Sequence, residues 1–241
     1  MRILISAAAV AGTLLAAMPA LAQDRSSKDE PAAGSIYVAG FLGDRFGREQ
    51  TLRGTTPAGL PRVIETDAKD GLTGGLVLGA VAATGDWGRA RVEAEFSASR
   101  NTLKRLDLNG QQRTLLEGSR SVTTEMVNIL YDTPRIAERL RFTLGAGVGH
   151  GAIDYDTRYL VPAAGPEINI PTSVSGKIAL QGIAGASVAL GGGLELTTDV
   201  RYSRIARHQV ERFNATAGTL DSVLSTRYSN AVATAGFRFF F

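Results

Sequence analysis

The chain has no cysteine among its 241 residues, so no disulfide can supply its stability. Beyond Ala22 it has no apolar run long enough to cross a bilayer as a helix. It also lacks a charge excess: 26 basic residues face 23 acidic ones, for a formal net charge of +3. That balance gives a polyanion little to hold, so nucleic-acid binding is not expected. What the chain has instead is glycine, 28 residues of it, and repeated stretches in which apolar and polar residues alternate.

The first residues read as a leader. Met1 and Arg2 form a positive head, Ile3 to Met18 is almost continuously apolar, and Pro19 precedes the small-x-small pattern Ala20-Leu21-Ala22. This predicts a secretory signal peptide over residues 1–22, cleaved after Ala22. Residues 23–33 are polar and predict a loose lead-in, leaving 34–241 as one domain. The last stretch, SNAVATAGFRFFF from Ser229 to Phe241, has period two. One face runs Ala231, Ala233, Ala235, Phe237, Phe239, Phe241, and the other carries Arg238. Three aromatic residues at the end of an apolar strand face fit a strand lying against lipid.

The same period recurs upstream. Leu140, Phe142, Leu144, Ala146 and Val148 alternate with Arg141, Thr143 and three glycines. Leu194, Leu196, Thr198, Val200 and Tyr202 alternate with Glu195, Thr197, Asp199 and Arg201. Eight strands are expected, beginning near Gly34, Asp70, Arg89, Ser119, Leu140, Ser173, Leu194 and Ser222. The first, Gly34 to Gly47, is ambiguous because both alternating sets contain apolar residues. Short connections fall near Asp86, Arg135 and Gly191. Long ones fall near Pro57, Gln112, Pro166 and Ala217. Short turns at one end and long loops at the other characterise outer-membrane barrels, in which the closed sheet satisfies every backbone group without a helix. The fold class expected is therefore all-β, an eight-stranded antiparallel transmembrane β-barrel. A soluble barrel would require the alanine-rich face to be its core and would leave the charged face in water.

The leader Ala20-Leu21-Ala22, LRFTLGAGVGHG from Leu140, LELTTDVRYSR from Leu194 and the terminal AGFRFFF resemble the small eight-stranded outer-membrane β-barrel superfamily of Gram-negative bacteria, with its porin-like and opacity-type surface proteins. The resemblance implies outer-membrane localisation with both termini periplasmic. It implies partners in outer-membrane lipid, lipopolysaccharide and the assembly machinery, with Phe237, Phe239 and Phe241 as the assembly signal. No cofactor and no metal are expected.

Three sets of residues carry functional expectations. Glu93, Glu95, Arg141, Glu195, Asp199, Arg201 and Arg238 fall on the inward face and are expected to pair in a lumen with little room for anything but side chains. Arg204, Arg207, His208 and Arg212 cluster near the outer end of a strand, where they are candidates for contact with lipopolysaccharide phosphates. Tyr228-Ser229-Asn230-Ala231 resembles the serine segment of the lipid A deacylases, with His208 on the preceding strand. The histidine that family carries just before its serine is missing here, so a lipid A-modifying hydrolase is only a remote alternative and no catalysis is expected. The reading is a structural or surface-interaction barrel whose long external loops are available to a ligand. A narrow porin-like channel for small solutes is the alternative.

Overall fold

The structure, a computed structural model, describes residues 30–46, 49–136, 138–161 and 165–241. The leader and residues 23–29 of the lead-in lie outside these. Within the described residues are β1 (Ile36–Phe46), β2 (Gln50–Thr55), β3 (Pro61–Ala68), β4 (Gly71–Gly85), β5 (Gly88–Leu108), β6 (Gln111–Gln112), β7 (Thr114–Asp132), β8 (Leu140–Leu160), β9 (Glu167–Ile170), β10 (Ser173–Gly191), β11 (Leu194–Asn214) and β12 (Thr219–Phe240). All twelve belong to one sheet, and every pairing in it is antiparallel.

The expected eight strands are thus corrected to twelve. The difference lies in segments whose polar composition, with proline in two of the three, reads as loop. Arg48 to Lys69 holds the β2–β3 hairpin, Lys104 to Gly118 holds β6, and Leu160 to Thr172 holds β9. These strands build a second tier. At the turn end the pairings run β12, β1, β4, β5, β7, β8, β10, β11 and back to β12. At the far end β2 and β3 replace β1 and β4 between β12 and β5, and β9 replaces β10 between β8 and β11. Among the described residues the wall closes at both levels and leaves no long free edge.

The two tiers have opposite polarity. In the first, large apolar side chains face outward: Leu42, Leu78, Ile129, Leu144, Leu180 and Val200 are all more than half exposed. Charged residues face inward. In the second, the interior is an apolar core that includes Leu52, Ile64, Leu106, Val122, Ile153, Ile168 and Leu224. The inversion occurs within single strands. On β8 the outward Phe142, Leu144 and Val148 have even numbers, whereas the inward Ile153, Tyr155 and Tyr159 have odd ones. Side-chain parity is unbroken between them, so the residue types have changed faces, as they must where the medium outside changes from lipid to water.

The turn end carries an aromatic belt. Trp87 stacks on Tyr131 with ring centroids 6.1 Å apart, and Phe239 meets Phe241 edge-on at 5.2 Å. Here β10 and β11 are joined by Gly192 and Gly193 alone, at φ of 60° and 79°. Two positive φ values make the tight hairpin turn that matches strand twist. Both Tyr37, near the start of β1, and its register partner Phe240, at the end of β12, lie at this end.

The facing of β1, ambiguous in sequence, is settled by glycines opposite it. Tyr37 and Phe41 turn inward and are buried. A Cβ on Gly79 would stand 2.2 Å from the Tyr37 ring, and one on Gly75 would stand 2.3 Å from that of Phe41. Two apolar rings can enter the charged interior because β4 has no side chain there.

Candidate functional site

Near the turn end the inward charges form a closed ring of alternating sign. Asp132 accepts from Arg89 Nε at 2.5 Å and from Arg91 Nε at 2.8 Å and Nη2 at 2.9 Å. Arg91 pairs with Glu93, and Glu93 lies 4.0 Å from Arg238. Arg238 pairs with Glu195 at 2.8 Å, and Glu195 returns to Arg89 at 2.8 Å. Tyr37 OH donates to Glu93 at 2.7 Å, and Thr143 Oγ1 donates to Asp132 at 2.7 Å. Three carboxylates therefore meet three guanidiniums in the space inside one level of the barrel.

Above the ring, Arg201 pairs with Glu95 at 2.6 Å and Asp199 at 3.1 Å, and its guanidinium covers the Phe41 ring at 4.1 Å. Glu95 also accepts from Asn128 and Gln181. Of the seven expected lumen residues, six join these clusters. Arg141 does not: it turns to the mouth, where it pairs with Glu30 of the lead-in and donates to Thr133 O at 2.6 Å. The expected set left out Arg89, Arg91 and Asp132. Their signal was available, since Arg89 and Arg91 share parity with Glu93, and Asp132 shares it with Asn128.

Higher still, Arg45 and Arg120 are buried, and both guanidiniums lie over the Tyr228 ring, at 4.8 and 4.9 Å. Neither takes part in an ion pair among the described residues. Arg120 Nη1 donates to Gln50 Oε1, and Gln50 Nε2 donates to Tyr155 OH at 2.9 Å. Tyr155 OH lies 2.8 Å from His208 Nε2, and His208 Nδ1 lies 3.1 Å from Ala206 O. A carbonyl only accepts, so Nδ1 carries the proton and Nε2 accepts from Tyr155. Burial pushes the Tyr155 hydroxyl up to about 12.

This chain of donors requires a neutral His208. Burial, with Lys177 nearby, holds its imidazole below the ordinary 6.5. The unfolded chain takes up a proton near 6.5 while the folded chain resists it. The resulting stability is therefore present above 6.5 and lost as pH falls from there through the lower folded value. Proteolytic cleavage around β10 and β11 is expected to accelerate as pH falls from about 7 to about 5. His208→Gln should flatten that dependence, and an unchanged wild-type rate would contradict the assignment.

The expected basic cluster is divided by the wall. Arg204 and Arg207 face outward and are exposed, whereas His208 and Arg212 face inward and are buried. Arg212 pairs with Asp221 and donates to Tyr159 OH. The division follows from a bulge in β11 between Ile205 and His208, which moves the later even-numbered residues to the inner face. A matching bulge interrupts β10 between Val174 and Lys177. Between the two bulged stretches β10 and β11 do not pair. A groove of about 520 Å³ opens there, lined by Ser173, Val174, Ser175, Lys177, Arg207, His208, Gln209 and Ser225. Lys177 was absent from the expected cluster because only the bulges bring it to Arg207.

The serine segment is not assembled for catalysis. Tyr228 and Asn230 are buried inside, so Ser229 between them alternates to the outer face, opposite Arg204. His208 is inward and opposite Thr226. Serine and histidine stand on different sides of one sheet. Among the described residues no group of acidic or histidine side chains could hold a metal ion.

No protein-family model and no curated protein matches the chain. Solved structures do. The outer membrane protease OmpT from Escherichia coli superposes with a TM-score of 0.59 at 8% identity, covering 90% of this chain and 100% of its own. The outer membrane protein OprG from Pseudomonas aeruginosa gives 0.60 at 13% identity, covering 88% and 97%. The fold is that of an outer-membrane β-barrel. Its first tier presents outward the apolar band that such barrels set against lipid. The resemblance to the small eight-stranded superfamily is corrected with the strand count: this sheet has twelve strands. The translocator domain of the autotransporter NalP from Neisseria meningitidis is a weaker likeness, with a TM-score of 0.33 at 14% identity over 98% of each chain.

Proposed function

We propose that this outer-membrane barrel has a closed interior and works through its external surface, in a structural or surface-interaction role, rather than as a channel or a hydrolase. The observation that carries the reading is the stacking of two seals. A solute entering from the periplasm meets a ring of paired charges, and one entering from outside meets an apolar core. Ser229 and His208 on opposite faces speak against lipid hydrolysis. The export that the reading requires rests on the leader expected at residues 1–22.

The external surface has one feature suited to lipopolysaccharide. Lys177 and Arg207 line the groove between β10 and β11 with three serines, and Arg204 is exposed on the same strand as Arg207. Guanidinium, ammonium and hydroxyl donors suit phosphate oxygens. The double substitution Lys177→Glu and Arg207→Glu is expected to weaken binding of purified lipopolysaccharide at least about tenfold, because each charge-assisted hydrogen bond contributes roughly 1.5–3 kcal/mol. Unchanged binding by the folded variant would remove the groove from the proposal.

A further inference from the structure

Arg45 and Arg120 are interior cations that have no counter-charge among the described residues. Burying a guanidinium without a partner is costly, yet this barrel buries two around one tyrosine ring. Their hydrogen bonds go to neutral groups: Arg45 Nη1 to Ser99 Oγ at 2.7 Å, and Arg120 Nη1 to Gln50 Oε1. Among the described residues, Arg45 Nη2, Arg120 Nε and the Tyr228 hydroxyl have no hydrogen-bond partner. Arg45 and Tyr228 both line a cavity of about 30 Å³ between the charged clusters and the apolar core. Ser97, Ser99, Thr124 and Asn230 line it too. Glu95 also borders it, but its carboxylate is held by Arg201, Asn128 and Gln181.

We propose that this cavity is a binding site for one small monovalent anion, chloride in particular, held by the Arg45 guanidinium with the Tyr228 hydroxyl, while Ser99 Oγ positions the guanidinium by accepting from it and donating to Val122 O. The balance of interior charge fits one such ion. The ring near the turns is neutral, Arg201 sits with two carboxylates, and Arg45 with Arg120 adds two cations; together these leave a single positive charge. The volume suits a species close to water in size and excludes a tetrahedral oxyanion. The Tyr228 hydroxyl supplies a second donor to the ion beside the guanidinium.

The test uses the full mature chain, refolded from urea into detergent in sodium bromide, with parallel samples in chloride, sulfate and gluconate at equal ionic strength. Crystals of the bromide sample should show an anomalous scattering peak in the cavity against Arg45. The ratio of folded to unfolded protein should be about tenfold higher in chloride than in gluconate once chloride exceeds its dissociation constant about tenfold. Sulfate should behave like gluconate. Arg45→Gln should lose the chloride effect, and if that variant does not fold, Ser99→Ala should weaken it. A cavity with no anomalous peak, equal stability in all four salts, or stabilisation by sulfate equal to that by chloride would each overturn the proposal.

Discussion

Replacing Asp132 by alanine is expected to destabilise the folded barrel by about 3–5 kcal/mol, the typical cost of leaving buried charges without their partner. Asp132 is fully buried and accepts three hydrogen bonds from Arg89 and Arg91 together. Its loss leaves two buried guanidiniums with two carboxylates, Glu93 and Glu195, that already share Arg238. Urea titration of the refolded protein in lipid vesicles measures the effect. Adding Arg91→Met to the variant should recover part of the loss, because a neutral side chain of similar length removes one stranded charge. A change below about 1 kcal/mol for Asp132→Ala would mean that water already solvates the ring.

The second large effect belongs to the external tier. Ile153→Asp should open it, since an unpaired carboxylate inside an apolar core costs several kcal/mol or forces the core apart. Ile153 is fully buried there, whereas Asp156, three residues along the same strand, is exposed. Asp156→Ala should change stability by no more than about 0.5 kcal/mol. Hydrogen exchange read segment by segment separates the tiers. Protection in Ile153→Asp should fall in β2, β3 and β9 and persist in the lipid-facing stretches. Loss of protection throughout would show that the tiers unfold as one unit.

These expectations mark how far the sequence could be read. Alternation in the lipid-facing stretches was legible because lipid outside and charge inside force opposite residue types onto alternate positions, as at Leu144 and Thr143. The turns were legible at Asp86-Trp87 and, one residue early at Gly191-Gly192, for the turn that the structure places at Gly192-Gly193. The strands β2, β3, β6 and β9 were not, because they stand in water and carry charge beside their apolar positions, as in Arg62-Val63-Ile64-Glu65. The change of face on β8 is written in the sequence as a switch from Val148 to Ile153, but it becomes visible only when an external core is considered. The groove was beyond reach because two bulges, one in each strand, decide which basic residues meet. Arg45 and Arg120 lie far apart in sequence, and neither interrupts its strand's alternation, so nothing local marks them as a pair around Tyr228.

The most direct test of the closed interior is conductance of the purified, refolded protein in a planar lipid bilayer. With an intact ring of paired charges below and an apolar core above, the bilayer should show no stable conductance step in symmetrical potassium chloride at either polarity. Large, stable, voltage-tolerant conductance would contradict the account and establish a continuous water path through the barrel.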